Sequence, residues 1–179
     1  DFRNLEGSAF PLHHKIDCVG FLFRETEPPL NVRKFEIAVR GLTLEEIATA
    51  KRGEDVIRDG RVIPNAELTY KPYEPRSYAY CSDTMPFEEL PQWISGVDLL
   101  YHEATYPEEM ALQAAQRYHS TATQAAECAL KAGAKKLLIG HYSSKYPDLS
   151  LFLEEARRVF PETELALDRA VIEIPLKKL

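Results

Sequence analysis

Three short runs end in side chains that bind cations or move protons: Ser82-Asp83-Thr84, Leu99-Leu100-Tyr101-His102-Glu103 and Leu137-Leu138-Ile139-Gly140-His141. The first closes residues 76–84, whose aromatic and small side chains predict a buried strand that stops at Asp83. A carboxylate placed where a central strand gives way to a loop sits on rigid backbone yet opens to a cleft. Taken alone, Ser82-Asp83-Thr84 reads more readily as a turn that caps a helix over 87–94. The two further strand ends, carrying His-Glu and His, favour a site. His14, His119 and Asp168 also fall at element boundaries, although a lone His beside a strand is ordinarily a satisfied polar residue at a core edge. Imidazole and carboxylate suit Zn²⁺ or Mn²⁺, and a carboxylate can bridge two ions. Two ions roughly 3.5–4 Å apart can clamp both the attacking and the leaving oxygen of a phosphoryl displacement. The ligands are scattered and no His-x-His-x-Asp-His cluster is present, so spacing alone does not decide the chemistry.

The elements that must position these residues alternate. Residues 18–23 are nearly continuously apolar, as in a strand buried on both faces, whereas the dozen residues at the N-terminus look irregular. Further on, 87–94 predicts a helix closed by Gly96, 97–101 a strand, 107–118 a helix with Pro at its first turn, and 121–132 a helix capped through Ser120 or Thr121 with Gln124. A strand over 136–140, a helix over 149–160 and strands over 165–168 and 171–174 complete the series. Alternation of this kind predicts an α/β layered architecture.

Residues 28–75 differ in character. They are polar, turn-rich and charge-mixed, with a helix expected over 31–39 capped by Asn31 and closed by Gly41. A Thr43/Glu46 capping box opens a second helix over 44–51, and an Asp59-Gly60 turn marks a hairpin. At about fifty residues this is longer than an ordinary connection, so 28–75 is expected to be an inserted arm and not part of the main core.

Bulk properties narrow the classes. The chain has 179 residues, 45% of them apolar, the size of one globular domain. No run of about 18 apolar residues predicts a membrane span, and the first residues lack a signal-peptide profile. They also lack an initiator Met, so the chain is expected to be processed or a piece of something longer. Cys18, Cys81 and Cys128 are far apart with no Cys-x-x-Cys, which argues against a disulfide framework or thiolate zinc site and suits the reducing cytoplasm. A net charge of −6 is unsuited to general nucleic-acid coating, so any RNA contact must be local.

The motifs together resemble ribonuclease Z, the tRNA 3′-processing endonuclease family of the metallo-β-lactamase fold. The resemblance runs from His14 to about Pro175 and corresponds to the family's C-terminal part. It is carried by His14 six residues before Gly20-Phe21, by Ser82-Asp83-Thr84, His102-Glu103-Ala104-Thr105, His119-Ser120-Thr121, Gly140-His141-Tyr142-Ser143-Ser144-Lys145-Tyr146 and Ala166-Leu167-Asp168, in that order. It implies the C-terminal half of an αββα sandwich spanning residues 1–179, with 28–75 as the family's protruding, tRNA-gripping arm.

It further implies that His14 binds one metal ion, His141 another and Asp83 both, with two Zn²⁺ per complete site and Mn²⁺ as the alternative. His119 would sit by the scissile phosphate, stabilising charge or protonating the leaving oxygen, and Glu103 would orient it. His102 is expected to be structural and Asp168 to stabilise a loop. Lys51, Arg52, Arg58 and Arg61 are the expected phosphate contacts of the arm, unless they are simply a solvated surface. Lys145 stands where the family has Arg, which keeps the charge but loses the bidentate fork.

The arm lacks a Gly-Pro-rich motif, and four of seven expected ligands, with the family's water-activating Asp, are absent from these residues. The expectation is therefore a zinc-dependent endoribonuclease acting on precursor tRNA as a homodimer, with the 179 residues inactive alone and the other half, about 120–140 residues, supplied upstream. Alternatives are a hydrolase of small phosphodiesters or sulfate esters on the same fold, or a non-catalytic binding module that has lost its metals.

Overall fold

The computed structural model describes residues 4–179 and contains two compact units. One runs to Glu25 and resumes over Arg76–Ile174; the other comprises Thr26–Pro75 and Pro175–Leu179. In the first, β1 (Leu5–Leu12) and β2 (Cys18–Glu25) pair antiparallel, Leu5 opposite Glu25 and Leu12 opposite Cys18. β1 corrects the expectation of an irregular N-terminus from Leu5 onward, and residues 1–3 of that stretch lie outside the described residues. It is an edge strand in which only Phe10 and Leu12 are buried, so Gly7, Ser8 and Pro11 hide the alternation that would announce it. Opposite Phe10 lies Gly20, where any Cβ would collide with the Phe10 ring and crowd the Tyr80 carbonyl.

The second unit begins with β3 (Asn31–Val32), which pairs with a later strand, so Asn31 is not a helix cap. α1 (Lys34–Arg40) starts after Arg33 and ends on Gly41 at φ 58°, a left-handed value that suits glycine. α2 (Leu44–Lys51) has the expected reciprocal capping box between Thr43 and Glu46. β4 (Val56–Arg58) and β5 (Arg61–Ile63) form the hairpin, with Asp59 and Gly60 at φ 52° and 76°, the backbone of a type I′ turn. A single turn, α3 (Asn65–Leu68), leads into β6 (Thr69–Tyr70), the partner of β3. Val32, Leu42, Ala50, Val56 and Leu68 make a small core belonging to this unit alone.

Returning to the first unit, the chain forms β7 (Ser77–Cys81), α4 (Leu90–Trp93), β8 (Leu99–Glu103), α5 (Ala111–Gln116), α6 (Ala122–Ala132), β9 (Leu137–Gly140), α7 (Ser150–Val159) and β10 (Thr163–Leu165). The sheet order is β1-β2-β7-β8-β9-β10; β2 and β7 are antiparallel, and the pairs from β7 to β10 are parallel. α6 supplies an alanine-rich face (Ala122, Ala125, Ala126, Ala129, Ala132) that approaches Ala79, Leu100, Leu137 and Ile139 closely, and Phe152 and Ala156 of α7 complete that core.

Several boundaries differ from expectation, among them that of the strand expected over 97–101, which forms as β8 two residues later. The helix of 87–94 shrinks to one turn because Phe87 leaves it to stack on His13, with ring centroids 3.9 Å apart. The helix of 107–118 splits into a 3₁₀ turn (Glu108–Met110) and α5, and the chain breaks helical geometry at Tyr118, φ 60°. The strand expected at 165–168 is β10, displaced toward the N-terminus to 163–165. Its partner β9 ends at Gly140, where His141 turns away at φ 61°, and residues 171–174 join no ladder.

Candidate metal centre

One edge of the sheet gathers the expected residues, and strand direction explains why. β7, β8 and β9 are parallel, and β1 shares their direction through two antiparallel steps. The β1–β2 loop with His14 therefore falls at the same edge as Asp83 after β7, Glu103 ending β8 and His141 following β9. Carboxyl ends of parallel strands are where open α/β sheets bind ligands. Two hydrogen bonds tie the loop down: the His13 N–H donates to Thr84 Oγ1 at 3.0 Å, and the Met85 N–H to the His13 carbonyl at 2.9 Å.

Asp83 presents one carboxylate oxygen to each of two imidazoles. Oδ2 is 3.9 Å from His14 Nε2, and Oδ1 is 3.4 Å from His141 Nε2. Both separations exceed a good hydrogen bond. They approach the spacing of neighbouring ligands on a tetrahedral ion, where atoms about 2 Å from the metal lie roughly 3.3 Å apart. Each imidazole is oriented through its other nitrogen. His14 Nδ1 lies 3.0 Å from the Tyr118 carbonyl, and His141 Nδ1 lies 2.9 Å from Thr105 Oγ1. Among the described residues no lysine or arginine pairs with Asp83. A carboxylate flanked by two imidazoles whose Nε2 lone pairs converge on it is a donor set that fits a divalent cation.

His119 stands between the two, its ring centroid 5.0 Å from that of His14 and 5.4 Å from that of His141. Its Nδ1 meets Glu103 Oε1 at 2.8 Å. Glu103 is fully buried; its Oε1 also accepts the Thr84 N–H, and its Oε2 accepts the Thr105 N–H and hydroxyl, at 3.0, 3.0 and 2.7 Å. Burial alone would raise this carboxyl's pKa. The bond to His119, with those to Thr84 and Thr105, outweighs burial and holds it below the ordinary value. The His119 pKa is correspondingly raised, chiefly by the hydrogen bond to Glu103 and against partial burial.

The donor atoms of His14, Asp83 and His119 lie within 4.8 Å of one another, as do those of Glu103, His119 and His141. His119 is therefore within ligand reach as well. Its Nδ1 is committed to Glu103, which leaves Nε2 for either a cation or a proton.

His102 faces the opposite side of the sheet, buried, with Nδ1 2.7 Å from the Glu103 carbonyl. The Asp168 side chain makes no hydrogen bond or ion pair among the described residues. In the second unit Arg58 is held by Glu46 at 2.5 and 2.7 Å and also donates to the Arg40 carbonyl, while Arg52 is held by Glu54. Lys51 and Arg61 are exposed and carry no ion pair among the described residues. Lys145 lies in the turn after His141.

Sequence reasoning missed the roles of Thr105 and Tyr118. Thr105 is visible only as the last residue of His-Glu-Ala-Thr. Nothing in the sequence marks Tyr118, whose carbonyl reaches His14 across 104 positions from a left-handed backbone.

No family model matches the chain. It is 46% identical over 173 residues to a protein of Porphyromonas gingivalis named ribonuclease Z, an alignment covering 96% of this chain and 57% of that protein. The chain thus spans a little over half the length of the curated relatives it matches. Its fold is similar to that of a solved metallo-β-lactamase fold protein from Bacillus subtilis, with a TM-score of 0.59 and 15% identity over 92% of this chain and 48% of that one. It is also similar to the crystal structure of human tRNase Z, short form, with a TM-score of 0.58 and 22% identity over 98% of this chain and 45% of that one. The architecture is that of the metallo-β-lactamase fold.

Proposed function

We propose that this relative of the ribonuclease Z proteins, matching them over 96% of its own length, is the C-terminal half of an endoribonuclease that matures the 3′ end of precursor tRNA. The observation that carries this reading is the shared carboxylate: Asp83 turns Oδ2 to His14 and Oδ1 to His141. That arrangement serves a pair of ions better than one. His14 would hold one Zn²⁺, His141 the other and Asp83 both, with Mn²⁺ as the alternative and the remaining ligands supplied from outside these 179 residues. When bound, such a pair would neutralise phosphate charge and lower the pKa of water.

The chain's own residues supply the rest. Glu103 favours the protonated form of His119 and fixes its ring, so that an Nε2–H can donate to the leaving 3′ oxygen and leave the tRNA with a 3′-hydroxyl. The Thr105 hydroxyl gives its proton to Glu103, and its oxygen accepts from His141 Nδ1. One buried carboxylate thereby orients both the acid and a ligand. Lys145, with Lys51 and Arg61 as the better-placed cations of residues 28–75, would contact phosphates. Arg52 and Arg58, already engaged by glutamates, would do so less.

The uncovered face of the sheet supports a missing half. Phe21, Phe23, Tyr78, Tyr80 and Tyr101 share it, with Tyr80 and Tyr101 stacked at 4.8 Å and Phe21 still 40% exposed. A face of this kind calls for a partner layer, so the 179 residues alone would hold metal poorly and cleave nothing. A homodimer and a cytoplasmic location belong to the same proposal. Cys18, Cys81 and Cys128 are all free thiols, and no described helix is long and apolar enough to cross a membrane. The test is cleavage by the complete protein of a precursor tRNA beside a small chromogenic phosphodiester. Precise 3′ cleavage with zinc is expected; turnover of the small diester alone would favour the competing reading.

A further inference from the structure

On the helix side of the sheet, below the loop that follows Thr84, lies a cavity of about 430 Å³. None of His14, Asp83, His119 or His141 lines it, so it is separate from the cation site. Phe87, Leu90 and Pro91 form an apolar wall, and α6 supplies the facing wall with Cys128 and Glu127. Its volume lies within the range of small-molecule sites, and such sites combine apolar walls with few polar groups.

The polar group here is His102, which lines the cavity while only 1% exposed. Its Nδ1 is committed to the Glu103 carbonyl at 2.7 Å. Its Nε2 has no hydrogen-bond partner among the described residues. No fully buried side-chain nitrogen or oxygen there lacks one, so Nε2 must face open space, and the space it borders is this cavity. With Nδ1 as the donor to a carbonyl, Nε2 of the neutral ring is an acceptor. Burial lowers the His102 pKa and so favours that neutral form. The Cys128 thiol, pushed up to about 12 by burial, is not a thiolate ligand, which argues against a metal here.

We propose that this cavity is a binding site for a flat nitrogen heteroaromatic that donates an N–H to His102 Nε2 and lays its ring against Phe87 and Pro91. Glu88 and Glu127 are exposed at the mouth, without ion pairs among the described residues, against the single amine of Lys131. The excess of carboxylate selects neutral or cationic rings over phosphorylated or carboxylated ones.

The test uses the complete protein with ¹⁵N-labelled histidine and four probes: benzimidazole, its 2-methyl and 1-methyl derivatives, and benzimidazole-5-carboxylate. Benzimidazole and the 2-methyl isomer, which keeps the N–H, should bind saturably and move the His102 Nε2 resonance. The 1-methyl isomer, equal in size but without a donor, should bind about tenfold more weakly. The carboxylate should also bind weakly and gain affinity in Glu127→Gln, a change on an exposed side chain that leaves the core intact. Equal affinity of the two methyl isomers, binding that leaves His102 Nε2 unmoved, or no binding up to about 10 mM would each overturn the proposal.

Discussion

The wholly buried carboxylate of Glu103 holds His119 Nδ1 at 2.8 Å, joining the end of β8 to the turn between α5 and α6. If this bond fixes the ring and its charge, Glu103→Gln should lower cleavage by the complete protein by about 10–100-fold and bring the His119 pKa down. Single-turnover cleavage and a histidine NMR titration check this. A variant with full activity and an unmoved His119 would remove Glu103 from the mechanism.

The same pair sets a pH signature in the metal-free protein. The His119 pKa is raised above the ordinary 6.5, so its stabilisation is complete below that value and is lost as pH rises through the raised one. The Glu103 pKa, which burial raises but its hydrogen bonds bring below the ordinary 4.5, gives stabilisation that is present above that value and lost as pH falls through the lowered one. Urea unfolding of wild type and Glu103→Gln should therefore differ most between pH 4.5 and 6.5. The gap should narrow as pH rises past the His119 transition.

Gly20→Ala tests the packing beneath the site. The new methyl meets the Phe10 ring and the Tyr80 carbonyl, so β1 and β7 must both give way. A loss of about 1–3 kcal/mol is expected, seen as a lower urea midpoint at unchanged slope. No loss would mean that β1 is held more loosely than its pairing implies.

The arginines and lysines of residues 26–75 should separate into two groups. Arg58 spans Glu46 and the Arg40 carbonyl, and Glu46 is drawn down to about 2 first by Arg58 and then by the Thr43 cap. Arg58→Ala should lower the thermal stability of this unit with little effect on the salt dependence of tRNA binding. Lys51→Ala and Arg61→Ala should leave stability alone and each reduce the salt slope by about 1. The reverse pattern would place Arg58 on the RNA.

Much of this was legible in the sequence because its signals are local. The Thr43/Glu46 and Thr121/Gln124 capping boxes, the Asp59-Gly60 turn and the apolar runs of β8 and β9 each state their structure within a few residues. β1 was not legible, because an edge strand with two buried side chains carries almost no pattern. The start of α4 was set from outside, by His13 drawing Phe87 away. In the site, the types and order of His14, Asp83, Glu103, His119 and His141 were readable. The Tyr118 carbonyl and the Thr105 hydroxyl were not, because backbone atoms have no signature and a threonine's partners depend on where three separate segments meet.

The most direct test of the shared carboxylate is the zinc content of the complete protein and three variants after dialysis against limiting metal. Wild type should retain two ions per chain, His14→Ala and His141→Ala about one each, and Asp83→Asn fewer than either. Two ions retained by Asp83→Asn would contradict the bridging role on which the nuclease proposal stands.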